Sequence, residues 1–230
     1  DIDGTLTLGS MSDVESSINT NTTNITSNDT DIATNTFSTS TNATAISTIN
    51  NTTLANFSSG ARVLDSVSGN VAVGSGSGAN ITKGSKNSSF GANALNKNTT
   101  GSFNVANGSG TLFNNTTGSY NTANGYEALN KNTTGSSNSA NGSFALYNNT
   151  TGIHNSANGY ASLYKNTTGS SNLANGSFAL YNNTSGRRNS ANGYASLYKN
   201  TTGSYNIANG YESLNKNTTG NYNVANGSFA

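Results

Sequence analysis

Asn132-Thr-Thr-Gly-Ser-Ser-Asn-Ser-Ala-Asn-Gly-Ser-Phe-Ala-Leu-Tyr-Asn148 ends where Asn149 begins the same motif again. The glycine after Thr-Thr (Thr-Ser in one copy) stands at 101, 118, 135, 152, 169, 186, 203 and 220, each step 17 residues. A second glycine returns from 91 to 227 and a leucine from 95 to 214 at the same interval, with no insertion or deletion. Fixed-period self-similarity is the signature of a chain that stacks one small unit, so this stretch reads as a solenoid.

Inside the unit, N-x-A-N-G reads as a short strand ending in a glycine turn. Phe144–Tyr147 reads as a second strand, and N-T-T-G closes the coil. Two short strands and two turns in 17 residues favour a β-roll over helix pairs, which need roughly 34 residues or more per repeat. Ala106, Ala123, Ala140 and their successors share one column and Leu129 and its equivalents another, enough to fill a narrow interior. Columns of Asn suit amide ladders at the ~4.8 Å strand spacing. The unit starts in degenerate form at Asn70, and registers counted to Asn223 give about 45 Å of fibre. Tyr126, Tyr160 and Tyr194 alternate with Ser143 and Ser177, while Phe144 and Phe178 follow those serines, which reads as packing between neighbouring rungs.

Upstream the period is seven. Met11, Ile18, Ile25, Ile32, Thr39 and Ile46 share one heptad position, with Val14, Asn21, Asn28, Asn35, Asn42 and Ile49 three residues on. This pattern over residues 11–50 indicates a coiled-coil stalk. Thr, Asn and Ser are weak helix formers, so the helix needs partners to bury its seam. Residues 1–10 alternate Ile2, Leu6 and Leu8 with polar residues and read as the end of a preceding β segment. Residues 51–69 lose both periods and read as a neck, leaving 70–230 as the repeat domain.

The chain has 230 residues, 31% hydrophobic and 8% charged, with no Cys, Pro or Trp and a formal net charge of +1. That apolar share is small for an ordinary globular core, usually about 45–50%. The near-zero charge argues against nucleic acid, which needs clustered Lys and Arg. No apolar run approaches the ~20 residues of a membrane span. Thiolate metal sites and disulfides are excluded by the missing Cys. Glycosylation sequons are abundant, among them Asn21, Asn51, Asn98 and Asn132, and matter only in a glycosylating secretory pathway.

The I-x-x-N-T stretches at Ile18–Thr22 and Ile32–Thr36 resemble the stalk motif of trimeric autotransporter adhesins. That resemblance implies a homotrimer in which Asn21, Asn28, Asn35 and Asn42 hold chloride ions on the three-fold axis. Only Asn21 and Asn35 are followed by the Thr of the motif. The N-V-A-V-G-type strands are similar to the β-roll heads of the same adhesins, whose repeats are commonly shorter. G-x-x-A-L-x-x-N-T-T-G-x-x-N-x-A also resembles repeats in tail and surface fibres of phages and large viruses.

Paired acids and bases for catalysis are not found. Glu127 and Glu212 are the two carboxylates of the repeats, 85 residues apart in one column, or about 24 Å at the strand spacing. His154 is the single histidine and occupies a variable surface position. Gly74-Ser-Gly-Ser-Gly78 reads as a turn. Arg187-Arg188 interrupts a neutral array and is the candidate contact for a phosphate or acidic glycan. Lys97, Lys131, Lys165, Lys199 and Lys216 share a column that can guard an edge against lateral aggregation.

The fold expected is therefore mixed and fibrous: a homotrimeric parallel coiled coil followed by a β-solenoid or β-roll of 17-residue repeats. The function expected is a structural and adhesive fibre on a virion surface, attaching to a host receptor or glycan without catalysis. No cofactor or metal is expected beyond the axial chloride. A bacterial trimeric adhesin on the cell surface is the alternative. An ice-binding solenoid is a third reading, because Thr-Thr recurs in nearly every coil.

Overall fold

A computed structural model describes the backbone of residues 8–58, 61–62 and 68–230, and the side chains of 12–36, 38–42 and 68–230. It contains two separate units, 1–55 and 56–230. α1 spans Leu8–Ser58 and makes up most of the first. The helix starts before the expected stalk and takes in residues 8–10, where a strand was expected, and it runs on into the expected neck. Residues 1–7, 59–60 and 63–67 lie outside the described residues, and so do those parts of the two expectations; within the expected neck, 61–62 are a strand and 68–69 a turn.

A helix so rich in Thr is stabilised weakly by its own chain. Its hydroxyls turn inward to the backbone: Thr22 Oγ1 donates to the Ile18 carbonyl at 2.9 Å and Thr36 Oγ1 to Ile32 at 2.8 Å. Such back-bonding hides the hydroxyls without adding helix stability. Among the described residues of the heptad seam, Ile18 and Ile32 are 56% and 62% exposed.

The second unit is a parallel β-solenoid. β1 (Ala61–Arg62) pairs antiparallel with β2 (Val71–Val73). From β2 onward every strand pairs in parallel with the next. The series continues as β3 (Ser88–Phe90), β4 (Val105–Asn107), β5 (Thr122–Asn124), β6 (Ser139–Asn141) and β7 (Ser156–Asn158). It ends with β8 (Leu173–Asn175), β9 (Ser190–Asn192), β10 (Ile207–Asn209) and β11 (Val224–Asn226). Register is constant: Ala140 faces Ala157 and Asn141 faces Asn158, 17 residues on.

Only one strand forms per coil, where two were expected. Residues 143–148 are consecutive turns. Phe144 and Leu146 both have positive φ, 60° and 53°. A non-glycine residue in that region costs roughly 1–2 kcal/mol, yet every coil accepts it at the leucine. The left-handed residue turns the chain inward, and Leu146 becomes fully buried beside Ala140 and Ala145. Burying a leucine is worth roughly 1.5–3 kcal/mol, which offsets the backbone strain.

The remaining interior is amide. Asn138 Nδ2 donates to Asn121 Oδ1 at 3.2 Å and to the Gly152 carbonyl at 2.8 Å. Its Oδ1 accepts the Asn155 backbone N–H at 3.0 Å and Asn155 Nδ2 at 3.1 Å. Asn149 builds a second ladder, donating to Asn132 Oδ1 at 2.8 Å and to the same Gly152 carbonyl at 3.0 Å. One carbonyl thus ties two ladders together in each coil. The Thr150 carbonyl receives three successive N–H groups, from Thr133, Thr134 and Gly135, at 3.0–3.2 Å. Among the described residues no buried side-chain polar atom lacks a hydrogen bond. The Ala and Leu columns fill the interior within one chain, as their spacing predicts. The interior needs few apolar atoms per coil when amides fill the rest.

Two outcomes follow from this geometry. A Cβ on Gly142 would stand 2.5 Å from the Gly159 carbonyl oxygen, at a φ of 139°. Gly142→Ala should therefore destabilise the array by about 1–3 kcal/mol, while Ser143→Ala stays within about 0.5 kcal/mol. Thermal unfolding followed by circular dichroism separates them. Second, the Asn98 and Asn132 sequons are fully buried, and Asn132 Nδ2 makes two hydrogen bonds. A glycan on that nitrogen cannot be accommodated. Chain routed through a glycosylating pathway should lose the folded array, and Thr→Val at the third sequon positions (Thr100, Thr134 and equivalents) should restore it, as read by secreted yield and protease resistance.

Candidate functional site

Side chains that do not enter the ladders fall in columns along the solenoid surface, and one set of columns is aromatic. Tyr126, Phe144, Tyr160, Phe178 and Tyr194 meet edge to face in sequence, with centroids 5.3–5.9 Å apart. Beside them Tyr147, Tyr164, Tyr181 and Tyr198 stack nearly parallel at 5.1–5.2 Å. Phe144 touches Tyr147 and Tyr164, and Phe178 touches Tyr181, which joins both rows. With Tyr211 and Phe229 added at one end, eleven rings form one continuous surface.

From Tyr126 to Tyr194 the alternation of Tyr with Ser, and of Phe with Ala between 144 and 195, gives this surface a two-coil period, which Tyr211 breaks. Each Phe sits where the neighbouring coil has Ala161 or Ala195, so the rings interlock without overlap. Packing accounts for the alternation, as expected, but the Tyr members are also open to solvent: Tyr126, Tyr160 and Tyr194 are 45–50% exposed. The stacked row was not singled out from the sequence. Its signal was present, because tyrosine recurs at 147, 164, 181 and 198 on the 17-residue interval.

Polar groups rim the rings. Lys131 lies 5.0 Å above the Tyr147 ring and donates to Asn148 Oδ1 at 3.0 Å, and Lys165 lies 5.5 Å above Tyr181. These lysines cover ring faces. An open pocket of about 320 Å³ lies in the same surface, lined by Phe178, Tyr194, Ala195, Tyr198, Lys199, Glu212 and Asn215.

Burial and neighbouring groups raise five of these phenols above the ordinary tyrosine value: Tyr126, Tyr147, Tyr164, Tyr181 and Tyr211. Partial burial is the largest cause for Tyr147 and Tyr164, followed by the charge of Glu127 for Tyr147 and by Tyr147 and then Glu127 for Tyr164. Tyr181 is raised by burial first and then by neighbouring phenols. Tyr126 is raised chiefly by the charge of the adjacent Glu127 carboxylate. Glu127 and Glu212 are thus neighbours of tyrosines and, 85 residues apart, are not brought together.

The residues expected to bind ligand lie elsewhere. Arg188 Nη1 donates to Tyr205 Oη at 2.6 Å and its guanidinium lies 5.3 Å from that ring centre. The Arg187 backbone N–H is taken by Ser204 Oγ at 3.0 Å. Together with Ser170 and Ser171 these residues line an open pocket of about 260 Å³, which suits a small anion. Asn21, Asn28, Asn35 and Asn42 are exposed along α1, seven residues apart, or about 10.5 Å. One chain does not bring their amides together.

His154 is exposed in the column that holds Ser137 and Ser171. Among the described residues no group of three His, Cys, Asp or Glu forms a metal cluster, and no helix is long and apolar enough to cross a membrane. The two threonines of each coil are not equivalent. Thr133 Oγ1 donates to the Thr150 carbonyl at 3.0 Å, and Thr134 is the exposed member. The Thr pair therefore presents one outward column, where an ice-matching face calls for a wider array.

No protein family, curated protein or solved structure matches the chain.

The phenols yield a pH test. A tyrosine whose folded pKa is raised contributes stability that is complete below the unfolded value of ~10 and is lost as pH rises through the folded value. The melting temperature should therefore fall as pH is raised beyond that of the free phenol. Absorbance titration should show the latest-ionising phenols lost when Tyr147, Tyr164 and Tyr181 are replaced by Phe. A melting temperature that rises with pH in this range would contradict the assignment.

Proposed function

We propose that this chain is a structural and adhesive fibre protein, homotrimeric through α1, that projects from a virion and attaches it to a surface without catalysis. The observation that carries the reading is the pairing of two features in one chain. An in-register solenoid carries its own core and repeats its surface at every coil. A 51-residue helix leaves Val14, Ile18, Ile25 and Ile32 of its heptad seam exposed. A helix of such low propensity gains stability by burying that seam against copies of itself.

In a parallel trimer, Asn21, Asn28, Asn35 and Asn42 from three chains form layers around the axis, and each layer can hold chloride. Arg187 and Arg188 are the contact for an acidic group on the target surface. A bacterial adhesin anchored at a cell surface uses the same parts, and a membrane β-barrel in the same polypeptide would distinguish it from the viral case.

The native mass of residues 1–230, by light scattering or sedimentation, tests the reading. Three chain masses are expected, falling to one when Ile18, Ile25 and Ile32 are replaced by Ser. A single chain mass for the unsubstituted protein would end the fibre reading.

A further inference from the structure

The geometry points to the aromatic surface as a binding site for a linear β-1,4-linked polysaccharide lying along the solenoid axis. The inference deepens the attachment reading and rests on it for its biological setting. The first argument is spacing. Outer rings recur at Tyr126, Tyr160 and Tyr194, two coils apart, which is about 9.6 Å at the ~4.8 Å strand spacing. In a β-1,4-linked chain each sugar is turned over relative to the last, so like faces recur at every second sugar. A pyranose is close to a phenol ring in width, so one sugar advances by about one coil and the disaccharide by the two-coil period.

Other linear polymers do not fit that interval. An extended peptide repeats its faces every two residues, or about 6.6–6.8 Å. Stacked nucleotides advance by about 3.4 Å. The second argument is chemistry. The outer, half-exposed positions hold Tyr, whereas the interlocked inner positions hold Phe144 and Phe178. Tyrosine offers a sugar an apolar face and a hydroxyl at once. Around the rings, Lys131, Lys165 and Lys199 stand against Glu127 and Glu212, so the surface is close to neutral and suits an uncharged glycan. The open pocket between Tyr194 and Tyr198, with Lys199, Glu212 and Asn215 on its walls, offers hydrogen bonds to sugar hydroxyls and substituents.

The test uses the full chain, with cellohexaose and chitohexaose as β-1,4 probes and maltohexaose as the α-1,4 control, measured by calorimetry. Binding of at least one β-1,4 probe, without binding of maltohexaose, is expected. Tyr160→Ser and Tyr194→Ser should each weaken it at least tenfold. Serine already occupies that column at Ser143 and Ser177, so the coil should still form, as checked by melting temperature. Tyr120→Ser, in the separate Phe103–Tyr120 stack, should leave binding unchanged.

No binding of either β-1,4 probe, or equal binding of maltohexaose, overturns the inference. So does a change in native mass on Tyr160→Ser, which would make the surface a contact between copies. The native mass of the unsubstituted chain, taken on the same sample, separates the two readings: a trimer that binds no sugar removes only this inference, and a monomer that binds removes only the fibre.

Discussion

The carbonyl of the glycine in N-T-T-G is the point on which the solenoid depends. At Gly152 it accepts Asn138 Nδ2 from one ladder and Asn149 Nδ2 from another, using both lone pairs. Each net hydrogen bond is worth only about 0.5–1.5 kcal/mol, but the bonds are buried, so none can be left unmade cheaply. Adding or deleting one residue in a coil would shift Asn, Thr and Gly out of line together. This explains why the interval of 17 holds without interruption through the array.

The ladders also explain the composition. A coil needs one Leu and one or two Ala in its interior, because amides occupy the rest. A chain that is 31% hydrophobic can therefore close a core that ordinary side-chain packing would not supply. The ladders do not all run the same way. Asn138 and Asn149 donate to the preceding coil, whereas Asn141 donates to the following one, at Asn158 Oδ1. Amide dipoles of opposite direction thus run side by side, which limits the axial dipole of the stack.

With the interior satisfied by so few positions, the outer columns are free to carry function. The column of Phe103 and Tyr120 also holds Ser137, His154, Ser171, Arg188 and Tyr205, all at positive φ between 55° and 61°. Its backbone conformation is therefore imposed by the coil and not by the residue. The aromatic surface differs in that its residues are correlated from coil to coil: each Phe follows a Ser, and the Tyr residues of this column are followed by Ala or Glu. Such coupling extends a single packing solution over the surface. It produces a repeat twice the length of the structural one.

Much of this was legible in the sequence. The interval of 17, the Ala and Leu columns, the Asn ladders and the heptads of the helix are all periodicities, and periodicity survives in one dimension. What could not be read there was the path between the marks. Phe144–Tyr147 has the alternation and aromatic content of a strand, yet Phe144 and Leu146 take left-handed φ. Local propensity opposes that conformation, and only burial of the leucine in a stacked coil outweighs it. Closure of the core within one chain was likewise decided by tertiary structure, since Gly152 can join two ladders only after coils are stacked. The aromatic surface has the same origin: rings at 17-residue intervals are separate in the chain, and the parallel register brings Tyr147, Tyr164, Tyr181 and Tyr198 into a row.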